Sequence, residues 1–327
     1  MSGVYDRPPM GSVRTIGTVA ASLLVAAIGP GCSLERVATN RVADTLAASG
    51  TTFASDDDPE LIEAALPFSL KLMESVLAEA PEHRGLLVAT SAAFTQYAYA
   101  FVQQDADALA LTDSDAGWAG WNRARKLYLR ARDYGLRGLE VGHPGFREAL
   151  HSDHAKAVQA IGKRDADLLY WAAVSWAAAI SLGKDDPELV ADLGDVSSLI
   201  DRALAVDESW DRGSIHAFLV TYTMARPDEM GDRKADARRH FDRAVELTQG
   251  RSAGPYVAWA EAVCLPDEDR ACFDASIASA LAVDPDAEPA RRLANTVMLR
   301  RAAWLKANVD RWILPPLEDS AGAEQPP

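Results

Sequence analysis

Apolar residues fall at helical spacing along most of this chain, and this periodicity constrains the fold more than any other feature. It runs from Pro59 to Ile313, and no window shows sustained alternation of apolar and polar residues. Sixty of the 327 residues are alanine, the residue with the best intrinsic helix propensity. The sequence therefore predicts an all-α protein, and its length is sufficient for a large packed core.

Proline, glycine and aspartate divide this pattern into separate predicted helices. Asp58 stands where it can cap a helix with Pro59 in its first turn. Segments 84–105 and 165–182 are apolar on most faces, which predicts interior helices. The remaining predicted helices cover residues 61–80, 115–142, 188–207, 212–225, 234–250, 254–265, 268–289 and 290–313.

Several of these helices end in similar short sequences. SVLAEAP (75–81), RALAVD (202–207), RAVELT (243–248) and SALAVDP (279–285) resemble the end of the second helix of a tetratricopeptide hairpin. The interval from Ala203 to Ala244 is 41 residues and that from Ala244 to Ala280 is 36, whereas a regular repeat holds near 34. The sequence predicts an array of helical hairpins, arranged as a degenerate tetratricopeptide-like solenoid with insertions.

The N-terminus has the pattern of an export signal. A 14-residue apolar run, Thr15–Ile28, follows Arg7 and Arg14; it is shorter than the roughly 20 residues that a transmembrane helix needs. Small residues then precede Cys32, which predicts a lipoprotein signal with this thiol as the acylated N-terminus. Gly29 stands where such signals usually have leucine. An ordinary signal peptide with an incidental cysteine is the alternative.

The predicted organisation follows from these boundaries. Residues 1–31 form a lipoprotein-type signal peptide, 32–55 a tether, 56–314 the helical domain and 315–327 a disordered tail that is rich in proline and acidic residues. A lipid anchor is then the predicted means of membrane attachment, with the helical body in an extracytoplasmic space.

Charge and motifs exclude several classes of function. The formal net charge is -15, which opposes general binding to nucleic acid. The phosphate-binding patterns G-x-x-x-x-G-K-[ST] and G-x-G-x-x-G and the hydrolase pattern G-x-S-x-G do not occur. His151 and His154, with His143 nearby, offer a weak metal signature, and surface or capping roles are more ordinary for them. The sequence predicts no catalytic residue, cofactor or metal.

Aromatic residues crowd two of the predicted interior helices. The simpler interpretation is that they fill the core, and the functional one is that some line an apolar cavity. His216 is a lone polar residue on an apolar segment, where a satisfied core histidine is more common than a ligand. The candidate ligand-binding residues are Phe94, Tyr97, Tyr99, Tyr170, Trp171, Trp176 and His216.

Two cysteines remain beyond the export signal. Cys264 and Cys272 are eight residues apart, and an exported domain permits a disulfide between them. If they lie on consecutive helices, the bond would join the two sides of that turn. Two small buried thiols are the other interpretation.

Several segments, in order from about residue 36 to about residue 312, resemble the TatT family, the tetratricopeptide-type lipoprotein associated with tripartite ATP-independent periplasmic (TRAP) transporters. They begin with DDDPELIEAALPFSLKLMESVLAEAPEHRGLLVATSAAFTQYAYAFVQQDAD and include KLYLRARDYGLRGLE, LLYWAAVSWAAAI, RALAVDESWDRGSIHAFL, HFDRAVELTQGRSAGPYV and RLANTVMLRRAAWL. The resemblance implies a lipid-anchored, all-helical, non-enzymatic periplasmic protein. It also implies a homotrimer with an apolar pore in each subunit, which pairs with the periplasmic substrate-binding protein and takes a small hydrophobic molecule or organic acid.

Two alternative functions remain open. One is a general tetratricopeptide-like scaffold in the cell envelope that binds no small ligand. The other is an exported hydrolase or metalloenzyme, and it rests only on His143, His151 and His154. Which of the two membranes carries the anchor is left open as well.

Overall fold

The computed structural model describes residues 1–3, 31–226 and 231–314. Within those ranges the secondary structure is helical and contains no strand, so the all-α prediction is confirmed. The predicted disordered tail and nearly all of the predicted signal peptide lie outside the described residues, and so does the side chain of Cys32. The helices are α1 (Gly31–Ala48), α2 (Gly50–Ala54), α3 (Pro59–Glu79), α4 (Arg84–Tyr97), α5 (Gln104–Leu109), α6 (Ser114–Gly142), α7 (Phe146–Ser152), α8 (His154–Ala157), α9 (Ala166–Ser181), α10 (Pro187–Ala191), α11 (Leu193–Val206), α12 (Ser214–Ala225), α13 (Arg233–Thr248), α14 (Gly254–Trp259), α15 (Arg270–Leu281) and α16 (Arg292–Asn308).

Aspartates begin many of these helices. The Asp58 carboxylate accepts a hydrogen bond from the Leu61 amide at 3.0 Å, and Pro59 occupies the first turn, as the sequence predicts. A cap of this kind contributes about 1 kcal/mol, because it satisfies an amide that has no partner within the helix. An aspartate side chain also caps α6, α8, α10, α13 and α15, at Asp113, Asp153, Asp186, Asp232 and Asp269.

Successive helices pack against one another along the chain. The long helix α6 lies between α4 and α9, and α9 in turn packs on α11. Small residues allow these close approaches: Gly135 of α6 faces the backbone of Ala172 of α9, where an added Cβ would lie 3.1 Å from the Ala172 Cα. This order of neighbours is what an array of consecutive helices requires. The tetratricopeptide-like arrangement of hairpins stays a prediction.

The two ends of the array meet. Helix α16 returns to contact α2 and α3, and the guanidinium of Arg300 donates to both carboxylate oxygens of Glu60 at 2.7 and 3.0 Å. Arg292 donates to the Ser55 carbonyl oxygen at 3.0 Å. The helical array is therefore closed by contacts of its last helix with α2 and α3, a feature that its periodicity does not predict.

The segment predicted as a tether is helical. Residues 31–54 form α1 and α2, and Ala43 of α1 is fully buried against a group that contains Leu77, Leu86 and Leu87. The side chains of Val37 and Val42 remain exposed. The second half of this segment is thus packed on the helical domain through one face.

The stretch from Arg84 to Leu109 is long and apolar enough to cross a membrane by length and composition, and it is alone in this among the described helices. However, 56% of its most apolar window is buried inside the protein. Phe94 and Ala98 of this stretch have 2% and 0% of their surface exposed. This burial agrees with the interior helix that the sequence predicts for residues 84–105.

Candidate functional site

Four aromatic side chains gather where α9 faces the start of α12, and we name them the aromatic cluster: Tyr170, Trp171, Trp210 and Phe218. The Tyr170 ring centroid lies 5.0 Å from that of Trp171 and 4.5 Å from that of Trp210. Phe218 meets Tyr170 edge-on at 6.5 Å. Tyr170 is 9% exposed, whereas the other three rings are only partly buried. The cluster therefore offers accessible aromatic surface around a buried tyrosine.

The Tyr170 hydroxyl stays protonated at physiological pH. Burial raises its pKa, the carboxylate of Asp211 raises it further, and Arg291 opposes both. Arg291 is close because its guanidinium donates to the Asp211 carbonyl oxygen. The aromatic cluster can therefore contact an apolar molecule through ring faces and donate one hydrogen bond, which suits binding rather than chemistry.

A polar group lies where α16 closes the array, and we name Asp107, Glu261 and Arg301 the closure cluster. The Arg301 Nη2 donates to Glu261 Oε1 at 2.6 Å, and its Nη1 lies 2.8 Å from Asp107 Oδ2. The side chains of Arg301, Asp107 and Glu261 are 12, 17 and 28% exposed. Arg301 thus joins two carboxylates from distant parts of the chain in a site that water still reaches.

Burial controls the charges of the closure cluster. It raises the pKa of Glu261 although Arg301 lies beside it. For Arg301, burial lowers the pKa, but the carboxylates raise it by more. The Tyr99 hydroxyl, whose pKa is raised first by burial and then by Glu261, donates to Met298 Sδ at 3.7 Å. Tyr99 therefore connects α16 to the π-helical turn Ala98–Gln103 that follows α4.

The predicted site residues do not form one site. Tyr170 and Trp171 belong to the aromatic cluster, and Tyr99 lies beside the closure cluster. Phe94 and Tyr97 are 2% and 6% exposed and lie under α6, where Arg130 covers the Phe94 ring at 5.5 Å and Arg123 the Tyr97 ring at 5.9 Å. These two rings have the core environment of the simpler interpretation.

The other two predicted residues lie elsewhere. Trp176 is 5% exposed and faces away from the aromatic cluster, with the Arg132 guanidinium 4.9 Å above its ring. His216 is also buried, its Nδ1 lies 2.9 Å from the Nδ1 of His240, and its Nε2 lies 3.6 Å from a carboxylate oxygen of Glu208. Burial lowers the pKa of His216, and the nearby Glu208 only partly offsets this.

Sequence reasoning missed most of the polar partners and half of the aromatic cluster. Trp210 lies in a short turn between two helices, and Phe218 lies in a segment from which only His216 was selected. Asp107, Glu261 and Arg301 are ordinary members of a charged composition. They are distinguished only by their contact across the closed array, and the local spacing of residues in the sequence does not indicate such a contact.

Of the three histidines considered for a metal, His143 and His154 pair with different aspartates. His143 Nε2 lies 3.2 Å from Asp165 Oδ2, and His154 Nδ1 lies 3.3 Å from Asp195 Oδ1. Within residues 31–226 and 231–314, no group of three or more histidine, cysteine, aspartate or glutamate side chains is arranged to hold a metal ion.

Cys264 and Cys272 are joined as a disulfide in the structure, with their Cα atoms 5.5 Å apart. The bond connects the π-helical turn after α14 to the first turn of α15. It therefore closes the connection between two consecutive helices, which is the arrangement that the sequence offered as one of two interpretations.

Similarity to known proteins supplies the identity. Residues 55–312 match the family model of the TRAP transporter T-component. An uncharacterised protein of Treponema pallidum (strain Nichols) is 32% identical over 321 residues, an alignment that covers 93% of this chain and 98% of that protein. The chain therefore belongs to the TRAP transporter T-component family, whose role is accessory to a TRAP transporter.

Proposed function

We propose that this protein docks the periplasmic substrate-binding subunit of a TRAP transporter and holds a small hydrophobic molecule or organic acid in an internal pore lined by the aromatic cluster. The observation that supports ligand binding is the group of partly exposed rings around the buried Tyr170. Ring faces bind the apolar part of such a molecule, and the protonated hydroxyl donates to an oxygen. No step of this function requires catalysis.

Lipid attachment and assembly complete the proposal. Cys32 follows the apolar run at the distance of a lipoprotein signal, so the anchor would hold the body at the periplasmic face of a membrane. The homotrimer is what the resemblance to the family implies. A Cys32→Ser variant is expected to move from the membrane fraction to the soluble fraction. Light scattering of the purified protein measures its molar mass and therefore its oligomeric state. A variant that stays with the membrane contradicts the anchor, and a monomer contradicts the trimer.

Ligand binding is tested with 1-anilinonaphthalene-8-sulfonate, an apolar anion that fluoresces in apolar surroundings. Trp171→Ala and Trp210→Ala each remove contact between a ring and the probe. A loss of about 60 Å² of apolar contact, at about 25 cal/mol per Å², weakens binding by about 1.5 kcal/mol and raises the dissociation constant of the probe about tenfold. Trp118→Ala is the matched control, because this ring is 61% exposed on α6. Equal effects of all three variants, or no binding to the native protein, contradict the proposed ligand site.

Docking is tested separately. The purified full chain is mixed with a TRAP substrate-binding protein of the same organism, and the complex is sought by size-exclusion chromatography. Recovery of a complex together with probe binding supports both halves of the proposal. A complex without probe binding favours the general scaffold, and probe binding without a complex contradicts the docking role.

A further inference from the structure

A pocket lies on a different face of α9 from the aromatic cluster. Trp176 follows Tyr170 by six residues and Trp171 by five, which places it about 120° and about 140° away from them around the helix. It lines a pocket of about 240 Å³ between the second half of α6, α7 and the start of α11. That volume is about eight water molecules at roughly 30 Å³ each, enough for a small molecule of similar heavy-atom count.

The floor of this pocket is apolar, and one of the side chains that form it has an unused hydrogen-bond donor. Leu136, Leu150 and Trp176 line it and are 7, 2 and 5% exposed. The indole Nε1 of Trp176 is buried and, within the part of the chain that the structure describes, has no hydrogen-bond partner. A buried donor left without an acceptor costs about 1–3 kcal/mol, so an oxygen atom supplied by a ligand would remove that cost.

The walls carry opposite charges. On α6 the lining residues Arg132 and Asp133 pair with each other, with Nη2 and Oδ1 2.9 Å apart, and His151 lies on α7. Arg147 of α7 lies on one side, with its Nη2 held by the Asp133 carbonyl oxygen at 2.7 Å. Asp192 and Asp195 lie at the start of α11, and Asp195 is 7% exposed with His154 Nδ1 3.3 Å from its carboxylate. A ligand with a single charge would leave one wall without a counter-charge, and burying unpaired charge is costly.

We infer that this pocket binds a small zwitterion, an amino acid in which a carboxylate and an ammonium group are separated by a short apolar chain. The carboxylate accepts from Trp176 Nε1 and from the Arg147 guanidinium. The ammonium donates to Asp192 and Asp195, and the methylene groups contact Leu136 and Leu150. This site does not depend on the aromatic cluster or on docking, so its test is independent of the proposed function.

The test follows the indole N–H signals of the full chain by ¹H–¹⁵N NMR, where each of the eight tryptophans gives one signal and Trp176→Phe assigns one of them. Glycine, β-alanine, 4-aminobutyrate and 5-aminovalerate are titrated at pH 7, because they differ in the distance between the ammonium group and the carboxylate. Pentanoate and pentylamine supply one charge each. We expect at least one zwitterion to shift the Trp176 signal downfield with a dissociation constant at least tenfold below that of either singly charged compound.

Variants separate the parts of the site. Trp176→Phe keeps an aromatic ring but removes the donor and the Trp176 signal with it, so the variants are compared by isothermal titration calorimetry. Arg147→Gln changes an exposed side chain. Each of these two variants is expected to weaken binding of the best zwitterion at least fivefold. Asp195→Asn is expected to weaken the zwitterion and leave pentanoate unchanged. Trp118→Phe, on the exposed part of α6, is the control. The proposal is overturned if no zwitterion moves the Trp176 signal, if pentanoate binds as tightly as the zwitterions, or if Arg147→Gln and Trp176→Phe bind like the native protein.

Discussion

Replacing Arg301 by methionine should destabilise the protein more than any comparable arginine replacement on α16. Arg301 bonds to Glu261 at 2.6 Å and lies 2.8 Å from Asp107, and removing it leaves two carboxylates together. Breaking a fully buried pair costs about 3–5 kcal/mol. Because the carboxylates are 17 and 28% exposed, water recovers part of this, and we expect a loss of about 2–3 kcal/mol in the free energy of unfolding.

This loss should depend on pH. Burial already raises the pKa of Glu261 above its ordinary value of 4.5, and loss of Arg301 raises it further. A carboxyl group whose folded pKa is raised ionises first in the unfolded chain, so stability falls as pH rises from about 4.5 to the folded pKa. The effect of Arg301→Met is therefore largest at pH 7.5 and smaller at pH 5.

Urea unfolding followed by circular dichroism at both pH values measures the difference. Arg300→Met is the matched control, because the Arg300–Glu60 pair is 51 and 69% exposed and an exposed pair contributes about 0–1 kcal/mol. Adding Glu261→Gln to Arg301→Met should restore part of the stability at pH 7.5. The reasoning is refuted if Arg301→Met costs no more than Arg300→Met, or costs as much at pH 5 as at pH 7.5.

Three further predictions concern packing, the disulfide and histidine. Gly117→Ala should lower stability by about 1–2 kcal/mol in urea unfolding, because its Cβ would lie 2.7 Å from the Ala110 Cα; Gly142→Ala, with no atom within 4 Å, should not. Reducing the disulfide should lower the free energy of unfolding by about 2.5 kcal/mol, because the bond closes a short loop in the unfolded chain. The loss is measured as a lower melting temperature with dithiothreitol. Since burial lowers the pKa of His216 from 6.5, stability should fall as pH drops below about 6.5, and His216→Gln should reduce this fall; an unchanged profile contradicts it.

The local parts of the fold could be predicted because their causes are local. Asp58 and Pro59 indicate the start of α3, because aspartate caps a helix and proline favours its first turn. The apolar faces of residues 165–182 indicate an interior helix. Tyr170 and Trp171 could be selected because they stand in that helix. Trp210 could not, because its turn has no period and its neighbours come from other helices.

The closure of the array depends on pairs that sequence spacing does not encode. Arg291 and Arg292 stand at the start of α16 and Arg300 and Arg301 at its middle, and each bonds to a group from an earlier part of the chain. Each arginine is ordinary by itself in a chain with 33 basic and 48 acidic residues. Which acids they meet depends on the sum of all the helix packing angles before them.

Closure by arginine also follows from the charge of the body. The end that α16 meets is acidic, with Asp56, Asp57, Asp58 and Glu60 within five residues, whereas α16 carries four basic residues and no acidic one. Opposite charges therefore face each other at the point of contact. Guanidinium groups suit this contact because their planar forks bond two acceptors at once and are weakly hydrated. Arg301 does so with Glu261 and Asp107, and Arg300 with both oxygens of Glu60.

The helix that closes the array also fixes one wall of the aromatic cluster, because Arg291 at its start holds Asp211 beside Trp210. Loosening α16 should therefore disturb the rings before it disturbs the core of α6 and α9.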